Sequence, residues 1–395
     1  MTVYLDHAAS TPLRAEARDA WLAASELTGN ASSVHAAGQA LRRLLEDSRE
    51  RIAAVLGCDP IEVILTSGGT ESANLAIKGL WWARDAAAAG VIVLPDGEHH
   101  ATLDTVEWLA SAQAAQVRHV PLTADGGVDV DAFAAALPGA AVATALAANN
   151  EVGTVSAVQE LAAAAMDAAV PLHIDAVGAL PHLAVDFAGL RGGGSAAGGL
   201  VALSMSGHKV GAPVGTGALV VSRHARLEAV VHGGGQQRGL RSGTQDVAGA
   251  AALAAALEAT ARDRAAESDR LAALAARMRD GIRSLVPTAT FLGAPASRLP
   301  GHIHVLFPDA LGETLLFLLD QAGVQVSTGS ACQAGIAEPS HVVLALGYGA
   351  REARSVLRIS LGRTTAAADV DAFLAALPEA HARAAASSAR AAARS

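Results

Sequence analysis

Two kinds of apolar pattern, one periodic and one continuous, occur along the first two thirds of the chain. Between residues 37 and 56 apolar side chains recur every three or four positions, which predicts an amphipathic helix that ends at Gly57. Short apolar runs, typical of strands buried on both faces, occupy residues 62–66, 91–94, 142–147, 170–174, 200–205 and 218–221. Helical or loop segments separate most of these runs. The pattern predicts an α/β fold with a mostly parallel sheet and helices on both of its faces.

The pattern changes after residue 244. An Ala- and Arg-rich stretch predicts one long helix over residues 245–285. Beyond it, strands are predicted at 302–307, 324–327 and 357–360 and a helix at 311–322, which together form a smaller α+β unit. We therefore expect a large domain of residues 15–260 and a small domain of residues 1–14 and 261–395. The tail after Pro378 is predicted to be the end of a helix or disordered.

Composition and charge exclude several classes of function. The 395 residues are enough for two domains with a large core, and the net charge of −9 disfavours a nucleic-acid-binding surface. Much of the 51% hydrophobic content is alanine, and no window is typical of a membrane span. The first residues lack the basic and apolar regions of a signal peptide. With only Cys58 and Cys332 there is no disulfide framework, so we expect a cytoplasmic protein without membrane attachment.

Small and polar residues follow three of the predicted strands. Gly69 and Thr70 lie in a Ser-Gly-Gly-Thr-Glu turn after residues 62–66, where backbone N–H groups and a helix dipole suit an anion. His99 follows the run at 91–94, and Asn150 follows the run at 142–147. Taken singly, an ordinary turn, a core or surface histidine and a helix cap are the simpler interpretations. Because parallel strands place their carboxyl ends at one edge of the sheet, these residues are candidates for one shared site.

Two further strand ends carry charged side chains. Asp175 ends the run at 170–174, where a buried acid needs a cationic partner such as a pyridinium nitrogen, or else a structural salt bridge. Ser206, His208 and Lys209 follow the run at 200–205. A lysine beside a hydroxyl and an imidazole suits the formation of a Schiff base, although a surface lysine is the simpler interpretation of Lys209 alone. An anion cradle, an aromatic histidine, an acid and a lysine in this order resemble the fold-type-I enzymes that use pyridoxal 5'-phosphate (PLP).

Longer motifs narrow the resemblance. They occupy residues 5–12 (Leu-Asp-His-Ala-Ala-Ser-Thr-Pro), 66–71, 98–99, 149–153, 206–209, 241–244 (Arg-Ser-Gly-Thr), 327–332 (Ser-Thr-Gly-Ser-Ala-Cys) and 358–363. In this order they resemble the class V aminotransferase superfamily, and in particular its cysteine desulfurases of the NifS/IscS type. The resemblance covers nearly the whole chain. It implies the two-domain fold of aspartate aminotransferase and the cofactor PLP.

The resemblance also implies roles for individual residues. Lys209 matches the lysine that binds PLP covalently, His99 the ring that stacks on the cofactor and moves protons, and Asp175 the partner of the pyridine nitrogen. Thr244 matches a residue that reaches the phosphate of a neighbouring subunit, which implies a homodimer. The positions that match cofactor ligands are Gly69, Thr70, His99, Asn150, Asp175, Ser206, His208, Lys209 and Thr244. Those that match the groups holding the substrate carboxylate are Asn150 and Arg358.

Cys332 is the residue that distinguishes sulfur transfer from other PLP-dependent reactions. It lies in a small, polar and Gly-rich segment, residues 327–335, which predicts a mobile loop with an exposed thiol, whereas Cys58 lies in a turn and is interpreted as structural. The resemblance implies that L-cysteine is converted to L-alanine and that Cys332 carries the sulfur as a persulfide. The acceptor is then another protein, an iron–sulfur scaffold or a tRNA-thiolation enzyme.

Other functions stay open at this point. A selenocysteine lyase, or another class V lyase or aminotransferase, has the same motifs, and a weakly active scaffold for sulfur-acceptor proteins is a third alternative. Gly178 motivates the scaffold, because the family carries there a glutamine that binds the phenolic oxygen of PLP; Pro181 also replaces a common glycine. A zinc hydrolase is disfavoured, and no metal is expected, because no metal-binding spacing accompanies the histidines. The histidines concerned are His99, His100, His173 and His208.

Overall fold

The structure is a computed structural model that describes residues 2–85, 90–192, 198–329 and 338–392. Its strands are β1 (Val3–Tyr4), β2 (Val63–Thr66), β3 (Val91–Pro95), β4 (Gln116–Val120), β5 (Val142–Leu146), β6 (Pro171–Asp175), β7 (Gly199–Ser206), β8 (Gly217–Val221), β9 (Thr290–Leu292), β10 (His302–Leu306), β11 (Val324–Gln325) and β12 (Val356–Ser360). Its helices are α1 (Ala15–Ser25), α2 (Ala36–Leu56), α3 (Gly69–Ala83), α4 (His100–Gln113), α5 (Val130–Ala136), α6 (Val158–Asp167), α7 (Phe187–Arg191), α8 (Gly207–Val210), α9 (Val247–Leu285), α10 (Gly312–Gln321), α11 (His341–Ala345), α12 (Ala350–Ala353) and α13 (Ala367–Ala392).

Seven strands form the central sheet in the order β2-β8-β7-β6-β5-β3-β4. Only β8 runs antiparallel to its two neighbours; the other pairs are parallel, so the predicted mostly parallel α/β sheet is confirmed. All residues of β3, β5, β7 and β8 are buried, which explains their continuous apolar runs. The sequence pattern missed β4, since this edge strand is partly exposed and has the polar sequence Gln-Val-Arg-His-Val.

A second sheet lies beyond the long helix. It is antiparallel, in the order β12-β10-β9, and a short parallel pair, β1 with β11, joins the chain's first residues to this part. Buried side chains from β10, β12 and α13 form a core around Phe307 and Phe373. Helix α9 is continuous and packs against both α1 and α13, so the predicted boundary at residue 260 falls within a helix. The division into domains stays a prediction.

Helix α9 begins at a capping residue, and helix α13 contains a proline. Asp246 caps α9, because its carboxylate accepts the backbone N–H of Gly249 at 2.8 Å. The tail after Pro378 is helical, and α13 continues to Ala392 with that proline inside it. Leu377 and Ala384, on either side of the proline, are fully buried, and their packing offsets the lost backbone hydrogen bond. No helix in the described part of the chain is long and apolar enough to cross a membrane.

Candidate active site

One cavity of about 370 Å³ opens at the carboxyl ends of the parallel strands. The segments that follow β2, β3, β5, β6 and β7 all reach it, as the topology of a parallel sheet requires. β12 of the second sheet contributes Arg358 from the opposite side. The predicted site residues that line the cavity are Gly69, Thr70, His99, Asn150, Asp175, Ser206, His208, Lys209 and Arg358. Cys332 lies outside the described residues.

Asp175 presents a buried carboxyl group to the cavity. The residue is 3% exposed, and burial raises the pKa of its carboxyl group to about 6. Three groups oppose this shift by favouring the ionised form: the Val177 N–H at 2.9 Å, the nearby charge of Lys209 and the Ser204 hydroxyl. A carboxylate held in this way attracts a cation that enters the cavity.

His99 caps helix α4 and turns its ring to the same cavity. Its Nδ1 accepts the backbone N–H of Ala101 at 3.0 Å, so the neutral ring carries its proton on Nε2. Burial, and then the charge of Lys209, lower the pKa of His99 to about 4. The ring is therefore neutral at physiological pH, and it suits stacking on another flat ring.

Lys209 extends from the first turn after β7 toward the beginning of the chain. Its Nζ donates to the carbonyl oxygen of Ala8 and, at 2.9 Å, to that of Ala9. Thr11 joins the same two segments, because its Oγ1 donates to the carbonyl oxygen of His208 at 2.8 Å. The segment of residues 7–11 thus forms one wall of the cavity beside the lysine, a role that its motif alone did not reveal.

A narrow turn at the start of α3 forms the predicted anion cradle. A Cβ at Gly69 would lie 2.7 Å from Val177 Cγ2, so a larger residue does not fit there. Gly68, at φ +152°, has a backbone conformation that other residues rarely adopt. Ser206 faces the same turn, since a Cβ at Gly69 would also lie 3.5 Å from its Cβ. The turn exposes the N-terminal N–H groups of a 15-residue helix to the cavity.

Arg358 is buried and held from two sides. Its Nη2 forms an ion pair with Asp6 at 2.9 Å, and its Nη1 donates to the carbonyl oxygen of Asn150 at 3.1 Å. Arg358 Nε and Asn150 Oδ1 are buried and have no hydrogen-bond partner. Both residues line the cavity, so one unused donor and one unused acceptor belong to its wall. Sequence reasoning missed Asp6, although it lies in the motif of residues 5–12.

Thr244 does not reach this cavity within the described chain; it is exposed to solvent. Its segment is nevertheless fixed near the anion cradle. Arg241 forms an ion pair with Glu71 of helix α3 at 2.8 Å, and the Gly243 N–H donates to Gln236 Oε1 at 2.9 Å. Thr244 is thus presented outward from a constrained loop.

The described residues on either side of the Cys332 segment lie at the cavity. Ser327 exchanges backbone hydrogen bonds with Arg358, and Gly329 lines the cavity. On the far side of the segment, Ser340 donates its hydroxyl to Glu151, and His341 lines the cavity. Residues 330–337, which include Cys332, are therefore flanked on both sides by residues of the same site.

Two buried glutamates beside the predicted residues were missed by sequence reasoning. Burial raises the pKa of Glu98 to about 8 and raises that of Glu151. Glu98 Oε1 accepts the backbone N–H of Leu146 at 2.8 Å, whereas its Oε2 has no partner. They adjoin His99 and Asn150 in the sequence, but nothing in the pattern distinguished buried from exposed carboxylates.

Gly178 also lines the cavity. A Cβ at this position would have one heavy atom within 4 Å, the carbonyl oxygen of Ala148 at 3.6 Å. The glycine therefore leaves room in the wall at the position where the sequence resemblance implies a glutamine.

The buried ionisable groups predict how stability depends on pH. Burial lowers the pKa of seven described histidines: to about 4 for His7, His99, His182 and His208, to about 3 for His173 and His304, and well below the usual value for His302. Between about pH 4 and 6.5 the unfolded chain binds more protons at these sites. The carboxyl groups whose pKa is raised act in the opposite direction but are fewer: they are Glu98, Glu151 and Asp175. We expect the free energy of unfolding to fall as the pH falls from about 6.5 to 4.5.

Urea unfolding of the cofactor-free protein at several pH values measures this dependence. Both ring nitrogens of His304 are buried without a partner, so His304→Leu should flatten the decline. His119 is exposed and serves as the matched control, because His119→Leu removes a histidine that solvent already reaches. A free energy of unfolding that stays constant or rises toward pH 4.5 would contradict the prediction.

Known proteins are similar to this chain in sequence and in fold. The family described as aminotransferase class-V matches residues 3–373. An IscS-like cysteine desulfurase of Mycobacterium tuberculosis (strain ATCC 25618 / H37Rv) is 45% identical over 387 residues, 96% of this chain and 96% of that protein. A solved NifS-like protein superposes with a TM-score of 0.87 at 29% identity, covering 96% of this chain and 99% of that one. The structure of SspA in complex with cysteine superposes with a TM-score of 0.77 at 30% identity, covering 91% and 99%.

Proposed function

The chain belongs to the class V aminotransferase family, among the cysteine desulfurases of the NifS/IscS type, and we propose that it converts L-cysteine to L-alanine with PLP as its cofactor. The observation that carries this proposal is the convergence of Lys209, Asp175 and Arg358 on one cavity from three separate strands. The cysteine bound in the solved structure of SspA supports cysteine as the substrate.

The residues present fit PLP. Asp175 supplies an anion for the pyridine nitrogen, and the neutral ring of His99 supplies a flat partner for the cofactor ring. The turn at Gly69, with Ser206 facing it, leaves room for the phosphate and excludes a larger side chain. Asn150 lines the same cavity, where its Nδ2 amide group can donate to an anionic ligand. Thr70 and His208 complete the phosphate ligands from the same subunit.

Each group has one part in the proposed reaction. When bound, PLP supplies an electron sink that stabilises negative charge at the substrate α-carbon. Arg358 and Asn150 hold the substrate carboxylate, and the Lys209 amine takes the α-proton. The thiolate of Cys332 attacks the substrate sulfur; an S–S bond forms, the Cβ–S bond breaks, and its electron pair stays on carbon. Protonation of that carbon, and return of a proton from Lys209 to the α-carbon, give alanine and leave a persulfide on Cys332.

The remaining parts of the proposal concern partners. Thr244, exposed on a constrained loop outside its own cavity, suits contact with the phosphate of a second copy, so we propose a homodimer. The persulfide passes to a sulfur-acceptor protein of the iron–sulfur scaffold or tRNA-thiolation class. A cytoplasmic location follows from the use of one free thiol as the sulfur carrier, which needs a reducing compartment.

The test is alanine production by the PLP-loaded protein under reducing conditions, with L-cysteine and L-selenocysteine compared. A desulfurase forms alanine from L-cysteine with repeated turnover. Alanine formed only from L-selenocysteine would assign the protein to the selenocysteine lyases. If PLP is bound and neither substrate gives alanine, the result would favour the alternative of a scaffold for sulfur-acceptor proteins.

Arg358 should control the affinity for substrate. We expect Arg358→Lys to raise KM for L-cysteine about tenfold or more and to change kcat by less than about threefold, because an ammonium group cannot form the bidentate contact. Steady-state kinetics measure both constants. Arg351→Lys, an exposed change on α12, is the matched control. An unchanged KM in Arg358→Lys would remove Arg358 from the carboxylate site.

A further inference from the structure

A row of three polar side chains crosses the otherwise apolar centre of the sheet and ends at Asp175. Thr144 lies on β5, His173 on β6 and Ser204 on β7, and these strands are neighbours. Thr144 Oγ1 lies 2.9 Å from His173 Nδ1, and His173 Nε2 lies 3.1 Å from Ser204 Oγ. Ser204 is paired with Asp175 across β6 and β7, and its hydroxyl favours the ionised form of the Asp175 carboxyl group. Thr144, His173 and Ser204 have no exposed surface.

The direction of these hydrogen bonds follows from the chemistry of the groups. Burial lowers the pKa of His173 to about 3, so its ring is neutral and has a single N–H. A hydroxyl favours an ionised carboxylate by turning its O–H toward it, so the Ser204 oxygen is left to accept from His173 Nε2. His173 Nδ1 then accepts from the Thr144 hydroxyl. Every donor in the row points toward Asp175.

We propose that Thr144, His173 and Ser204 are positioning residues that keep Asp175 ionised and thereby keep the pyridine nitrogen of PLP protonated. This inference rests on the proposed function, since it takes PLP as the ligand of Asp175. Aligned hydrogen bonds strengthen one another, and the Ser204 hydroxyl at the end of the row lies across from the Asp175 charge. Valine in place of Thr144 would pack in the same space, so the core itself does not require a polar row here.

Other groups also act on Asp175, and the row adds to them. Lys209 and the Val177 N–H favour the ionised carboxylate, whereas burial favours the protonated one. Glu98 is the neighbouring carboxyl group, and Asp175 raises its pKa further beyond the effect of burial. Since burial is the largest influence on Asp175, loss of the Ser204 hydroxyl moves the balance toward the protonated acid. The pyridine nitrogen would then lose its anionic partner.

The test reads the protonation of the pyridine nitrogen directly. The protein is loaded with PLP labelled with ¹⁵N in the ring, and the ¹⁵N chemical shift is followed with pH. We expect the midpoint for loss of the ring proton to fall by about one pH unit in Ser204→Ala and by about half a unit in Thr144→Val. The dissociation constant of PLP should rise about tenfold in Ser204→Ala.

Two further variants separate positioning from folding. Thr144→Ser restores the hydroxyl and should return the midpoint to that of the wild type. Thr105→Val is the matched control, because Thr105 is buried on α4 and its Oγ1 donates to the carbonyl oxygen of Ala101 at 2.8 Å, outside the row. Its midpoint should equal that of the wild type.

The inference is overturned if Ser204→Ala and Thr144→Val bind PLP with the wild-type midpoint and dissociation constant. It is also overturned if Thr105→Val shifts the midpoint as far as Thr144→Val does. Failure of the proposed function gives a different result, since a wild-type protein that binds PLP but forms no alanine still shows whether the row controls the ring proton.

Discussion

Lys209→Ala should abolish the conversion of cysteine to alanine, with a loss in kcat of at least about 10⁴-fold. The substitution removes the only amine that lines the cavity among the described residues. In the proposed reaction, Lys209 is both the residue that binds PLP covalently and the base that takes the substrate α-proton. Steady-state alanine production by the PLP-saturated variant measures the loss.

The composition of the chain sharpens this experiment, because Lys78 and Lys209 are its only lysines. Lys78 lies over the ring of Trp108, with its Nζ 4.6 Å from the ring centroid, and does not line the cavity. Borohydride reduction of the PLP-loaded protein should therefore fix the cofactor to the peptide that contains Lys209. Lys78→Ala should keep both the label and the activity. Attachment of PLP to Lys78 would refute the assignment.

Cys332→Ala should lower the release of sulfide from L-cysteine by about 10³-fold or more under reducing conditions. No thiol lines the cavity among the described residues, so none of them can replace a thiolate that attacks the substrate sulfur. PLP binding should not change, since the role proposed for Cys332 is to accept sulfur and not to hold the cofactor. Sulfide release, measured beside the PLP absorbance of the same sample, separates the two effects.

Cys58 is the matched control for this substitution. It is the chain's other cysteine, and burial raises the pKa of its thiol to about 12, so it is almost entirely protonated at neutral pH. Cys58→Ala should keep wild-type sulfide release. A Cys332→Ala variant that releases sulfide at the wild-type rate would show that the sulfur does not pass through Cys332.

The repeating apolar pattern determined most of what could be predicted. Strands buried on both faces have continuous apolar sequences, so the parallel sheet was predictable, and the carboxyl-end rule then located Asp175 and Lys209 at one site. The edge strand β4 was not predicted, because its exposed residues are polar. The residues that support the site were less visible, since their contacts join distant parts of the chain. Asp6 and Arg358, for example, form an ion pair across 352 positions.

Single polar residues inside apolar runs were a signal that the sequence did contain. Thr144, His173 and Ser204 interrupt three of the buried strands, and each is fully buried in the structure. Periodicity alone does not indicate which neighbours they meet, because that depends on the order and register of the strands. Only the arrangement β7-β6-β5 brings the three together behind Asp175.

Transfer of the substrate's sulfur to Cys332 is the central claim, and mass spectrometry tests it most directly. The PLP-loaded Cys58→Ala protein is incubated with L-cysteine, digested without reductant and analysed for the peptide that contains residue 332. We expect this peptide to gain about 32 Da, one sulfur atom, while alanine appears in solution. Alanine without a mass increase on that peptide would contradict the transfer of sulfur to Cys332.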